Sequence, residues 1–130
     1  MCKNDLFEYA VIRIVPRVER EEFLNAGVVL YCAAQRFLQV QYCINSDRIR
    51  AMHADADTTE IAALLHAFEQ ICKGETNCNS PIAALPIAER FRWLTATRST
   101  IVQCSPVHPG LTADALQTLQ KIYSQQVDCG

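Results

Sequence analysis

A chain of 130 residues, half of them hydrophobic and a fifth charged, with 4 glycines and 5 prolines, has the composition of an ordinary globular protein, which excludes a disordered or fibrous one. Its net charge of -2 supplies no overall basic field for a phosphate backbone, so nucleic acid is disfavoured as a partner. No run approaches the roughly 20 apolar residues that span a bilayer. Residues 1–7 hold no apolar stretch of the kind an export signal needs, so the expectation is a cytoplasmic chain with no membrane contact.

Folding a chain of this length buries roughly two-thirds of its unfolded surface, enough for one domain over residues 1–130 without a staple. The 7 cysteines are odd in number and scattered, which reads as reduced thiols, several acting as small buried hydrophobes. Even the nearest pair, Cys72 and Cys78, is wider than the C-x-x-C spacing that zinc favours, so neither a metal nor a cofactor is expected.

Residues 7–15 (FEYAVIRIV) are almost continuously apolar and rich in β-branched and aromatic side chains, which predicts a central strand buried on both faces and closed by Pro16. The charged run at residues 17–22 reads as a solvated turn or short helix. Residues 23–32 form a second strand, with Gly27 marking a bulge or a close backbone approach. A hairpin at 33–36 leads into a third strand at 37–44, where Leu38, Val40, Tyr42 and Ile44 share one face. Residues 57–73 carry Ile61, Leu64, Leu65, Phe68 and Ile71 at helical spacing, with Asp57 as N-cap, Glu60 completing a capping box and Gly74 past the end.

Ser80 and Pro81 open a helical segment that runs to Ala96 with an interruption at Pro86. Residues 99–104 form a short strand, and Thr112 caps a last helix with Leu116, Leu119, Ile122, Tyr123 and Val127 as its stripe. The order predicts a two-layer α+β fold, an antiparallel sheet of about four strands with helices packed on one face.

Chemistry concentrates in residues 89–111. Arg90, Arg92 and Arg98 fall close to hydroxyls at Thr95, Thr97, Ser99 and Thr100 around a helix-to-strand junction, followed by Gln103, Ser105 and His108. Guanidinium forks and hydroxyl donors suit a phosphate or a carboxylate. Arg13 is the charge in the first strand and Asn25 the polar residue early in the second, and antiparallel pairing would bring them together. The candidate binding set is therefore Arg13, Asn25, Arg90, Arg98, Ser99, Thr100, Gln103, Ser105 and His108. The plainer alternative is that these arginines cap carbonyls or pair with local carboxylates such as Glu8, Glu22 or Glu89, and that Trp93 is core.

No catalytic residue is assigned, with His108 the candidate general acid or base; a Cys104, His108 and Asp114 grouping depends on geometry that sequence proximity does not give. Phosphate-loop, dinucleotide, zincin and nucleophile-elbow motifs are absent from the chain.

The stretches 9–13 (YAVIR), 23–30 (FLNAGVVL) and 89–100, with Gln103, residues 105–108 (SPVH), Gly110 and Leu111, resemble an uncharacterised bacterial family, domain of unknown function 3037. Thr97, Cys104 and Pro109 depart from its pattern, which weighs against Cys104 as a nucleophile. The resemblance implies an accessory protein, a partner of a kinase similar to the HipA toxins, in a toxin–antitoxin or defence setting. The reading adopted is a protein-interaction or regulatory module that recognises a protein partner, or a phosphate or carboxylate on it. The alternative is a small enzyme acting on a phosphorylated or nucleotide substrate through His108.

Overall fold

The computed structural model describes residues 4–127 except 18, 19, 21, 76, 78, 79, 97 and 99. Its organising strand is β1 (Asp5–Ile14), whose nearly unbroken β-favouring sequence is used on both faces and both edges. Along one edge β1 pairs antiparallel with β2 (Leu24–Cys32), which in turn pairs with β3 (Phe37–Tyr42). Its other edge is shared in series by two short strands: β4 (Val102–Cys104) lies against residues 12–14 and β5 (His108–Thr112) against residues 5–9. The sheet is open, antiparallel and five-stranded, one strand more than the sequence suggested. β5 escaped notice because Pro109 and Gly110 are poor strand formers; at a sheet edge the missing proline N–H is harmless.

Ser46–Met52 form α1, Thr58–Lys73 α2, Ile87–Thr95 α3 and Ala115–Gln126 α4, with a 3₁₀ turn at Pro81–Ala84. Asp57 accepts a hydrogen bond from the Glu60 N–H at 3.0 Å, and Gly74 closes α2 in the left-handed region at φ 72°, both as the residue pattern predicts. Pro86 ends the 3₁₀ turn and precedes α3, as expected from its missing N–H and the extended backbone it favours. Asp114, not Thr112, caps α4 through the Gln117 N–H at 3.2 Å; the Thr112 hydroxyl accepts from the Asp114 N–H instead. The unforeseen α1 is capped by the Asn45 side chain and drives Ile49 into the core.

Antiparallel register fixes which side chains share a face. Ala10, Ile12 and Ile14 of β1 join Val29 and Leu38 beneath Ile61, Leu65 and Phe68 of α2 and Phe91 and Leu94 of α3. Phe7, Val28, Leu30 and Cys32, of the opposite parity, pack on Ala115 and Leu119 of α4. The α+β class and the antiparallel sheet are as expected. The placement of helices on one face is corrected by α4, which covers the reverse side because β1 and β2 offer apolar side chains in both directions. Cys32, Cys72 and Cys104 are free, whereas Cys43 is disulfide-bonded, against the expectation of reduced thiols. Among the described residues no helix is long and apolar enough to cross a membrane.

Candidate functional site

The sheet divides the sequence-predicted set between its two faces. Arg13 lies beside Asn25 on one neighbouring strand and Gln103 on the other, so the anticipated pairing of Arg13 with Asn25 is found. A one-residue bulge in β2 next to Gly27 sets this register. The trio is on the α4 side: the Asn25 amide donates to the Gln126 carbonyl at the end of α4 at 3.0 Å, and the Gln103 amide donates to the Thr100 carbonyl at 2.7 Å. The Arg13 guanidinium rests 4.2 Å from the centre of the Phe23 ring. Its Nε and the Asn25 Oδ1 are buried with no hydrogen-bond partner among the described residues.

His108 is exposed on β5 opposite Tyr9, the two rings 5.4 Å apart, again on the α4 side. Cys104 points the other way, into the core beneath α2 and α3, where its thiol donates to the Leu94 carbonyl at 3.5 Å. Burial pushes that thiol up to about 12, and the opposing fields of Arg98 and Arg13 do not reverse this, so the thiol is neutral at ordinary pH. Asp114 is occupied as the α4 cap. The Cys104, His108 and Asp114 grouping is not assembled. Among the described residues no cluster of 3 or more His, Cys, Asp or Glu is placed to hold a metal ion.

Ser105 has a structural task. It fills the gap between β4 and β5, where its hydroxyl accepts from the Val11 N–H at 2.9 Å and its own N–H donates to the Val11 carbonyl at 2.8 Å, continuing the ladder along β1. At 3 % exposure no water can replace that acceptor. Ser105→Ala is therefore expected to cost ~1–3 kcal/mol, the penalty of a buried unsatisfied N–H, in urea denaturation. An unchanged midpoint would show that the strand tolerates the gap.

The three arginines of the 89–100 stretch go to separate places. Arg92 is exposed. Arg98 lies with its guanidinium 3.9 Å from the centre of the Trp93 ring, donates to the Trp93 carbonyl, and forms the rim of a groove of about 210 Å³ between α2, α3 and β4. Leu64, Phe68, Leu94 and Val102 line its interior, with Thr100 near Arg98. The expectation that Trp93 is core is corrected: it is 39 % exposed and serves as a stacking platform, because Phe91 and Leu94 take the buried positions of α3. Thr100 turns its hydroxyl to the Val102 carbonyl at 2.7 Å. Ser99 lies outside the described residues.

Arg90 leaves the opposite flank of α3. Its Nη1 donates to the Ala83 carbonyl at 3.3 Å and its Nε is buried without a partner among the described residues; none of Glu8, Glu22 or Glu89 supplies the expected carboxylate. The guanidinium crosses Gly74, where a Cβ would collide with it. It joins Arg36 and Lys73 in a second recess, of about 430 Å³, between β3 and the facing ends of α2 and α3. Sequence reading missed Arg36 and Lys73 because chain distance hides their convergence on Arg90.

A protein-family model described as Protein of unknown function (DUF3037) matches residues 9–127. No curated protein and no solved structure matches the chain. The match takes in all of β2, β3 and the four helices, and with them both recesses, so the chain belongs to that family of unknown function.

Proposed function

We propose that the chain is an accessory protein-interaction module that docks a partner in the groove between α2, α3 and β4. The observation that carries this reading is Arg98 stacked on a half-exposed Trp93 at the mouth of an apolar channel. Tryptophan and arginine are the side chains that most often dominate binding energy at protein interfaces. The groove's volume of about 210 Å³ falls short of the roughly 300–1,000 Å³ of typical small-molecule sites and suits one or two apolar side chains of a protein segment. Guanidinium donors of Arg98 that do not reach the Trp93 carbonyl are available to a carboxylate or phosphate on that segment. The family resemblance points to a HipA-type kinase as the partner.

Placement also supports docking over the enzymatic alternative. An enzyme using His108 as acid or base with Arg90 and Arg98 as charge stabilisers needs these groups to converge, and His108 belongs to the α4 face while both arginines belong to α2 and α3.

The test is purification of the tagged chain from its native cells, with mass-spectrometric identification, beside a Trp93→Ala, Arg98→Ala double variant. A HipA-type kinase is expected with the parent chain and depleted at least about tenfold with the variant. Equal recovery by both would remove the groove from the interface, and recovery of no kinase by either would remove the kinase as partner.

A further inference from the structure

A second, basic recess lies on the other flank of α3. Arg36, Lys73 and Arg90 place three cationic side chains around one concavity, and no carboxylate is among its lining residues. Lys73 meets Glu69 at 3.7 Å, and that carboxylate also accepts from the Tyr42 hydroxyl at 3.4 Å and lies 3.8 Å from His66. Arg90 keeps a buried Nε with no partner among the described residues.

Two backbone features border the recess. Ile87, the first residue of α3, is a wall of the recess, and the preceding Pro86 makes no side-chain cap, so the nine-residue helix begins beside the recess without one, with Glu89 as the acidic residue of its first turn. Arg36 holds φ 50°, the positive-φ residue among the described non-glycines. It closes the hairpin turn at residues 33–36, its N–H donating to the Ala33 carbonyl at 3.1 Å, and that turn holds the side chain at the mouth of the recess.

We infer that this recess binds the phosphate group of a small phosphate monoester. Arg36, Lys73 and Arg90 would hold its oxygens, and the organic portion would lie against Leu38, Val40 and Ile87. The charge favours a phosphate dianion over a carboxylate, since three cations exceed what one carboxylate neutralises. At about 430 Å³ the recess falls within the range of small-molecule sites, which the groove beside Trp93 does not.

Isothermal titration calorimetry on the full chain, with inorganic phosphate, ribose 5-phosphate and AMP as probes, tests this. At least one ester is expected to bind saturably and more tightly than inorganic phosphate, with affinity falling as salt rises. Arg90→Gln is expected to weaken it at least about tenfold, the value of a charge-assisted hydrogen-bond pair. Because Arg90 also braces Gly74 and Ala83, Arg36→Gly and Lys73→Gln give the decisive comparison. Both are exposed, and each is expected to lower affinity with the thermal midpoint retained. Absence of saturable binding by every probe, or binding indifferent to Arg36→Gly and Lys73→Gln, would overturn the site. Inorganic phosphate binding as tightly as both esters would overturn the role given to the apolar wall. The Trp93→Ala, Arg98→Ala variant is expected to bind the ester normally; loss of binding there would overturn the separation of the two sites.

Discussion

Gly27→Ala is expected to destabilise the protein by about 3 kcal/mol, the upper end for overpacking by a single methyl, and to lower Tm by roughly 10 °C. Gly27 lies in β2 between Ile12 of β1 and Tyr42 of β3. A Cβ there would stand 2.6 Å from the Gln41 carbonyl oxygen and 2.7 Å from the Tyr42 Cβ, closer than real contacts allow. The obstacles belong to the β3 backbone, which hydrogen bonds hold in register, so relief requires opening the sheet. Gly110→Ala provides the contrast, because the atoms nearest its Cβ belong to the Phe7 ring and not to backbone, so relief needs a ring shift within the α4 core and not an opening of the sheet. Urea denaturation of both variants at constant m-value checks the prediction. A loss below about 1 kcal/mol for Gly27→Ala would mean that β3 does not approach β2 this closely.

The same residue shows what local sequence carries. A glycine inside a β-branched run has few uses, and a bulge with close approach is the physical one, so Gly27 and the meeting of Arg13 with Asn25 could be anticipated from the chain alone. The caps of α2 were equally legible, because Asp57 and Gly74 each act within a turn of their own position. What was not legible is non-local. The stripe of α4 declares an apolar face without saying which side of the sheet it covers. That depends on the side chains of β1 and β2 that α2 and α3 leave over. The strand β5 is held by its pairing with β1 and not by propensity, since its central residues are Pro109 and Gly110.

The candidate site shows the same division. The arginine-rich stretch holds both Arg90 and Arg98, and their closeness in sequence suggested one surface, whereas the two residues leave opposite flanks of a nine-residue helix. Ser105 drew notice as a polar residue just past the arginine-rich stretch, but its hydroxyl is spent on Val11, a partner far away along the chain. His108 is separated from the arginines by the thickness of the sheet. Side-chain type alone distinguishes none of these outcomes, because each is decided by which face a strand or helix presents.

Phe91→Ala is expected to cost ~3–5 kcal/mol, the range for removing a buried aromatic ring from a core. Phe91 is 1 % exposed and stacks on Tyr31 of β2 at 5.3 Å between ring centres, with 27° between the planes. With Leu94 it is one of the two buried residues fastening α3 to the sheet, and a helix of nine residues has little stability without such packing. The consequence reaches both proposed sites, because α3 sets Trp93 on one flank and Arg90 on the other. Arg36→Gly should affect only ester binding and the Trp93, Arg98 double variant only partner docking. Phe91→Ala should weaken both together by loosening their common wall. Measured below the melting temperature of the variant, a loss of one binding event with the other intact would show that α3 does not couple them. A stability loss under about 1 kcal/mol would show that the ring is not the anchor its burial implies.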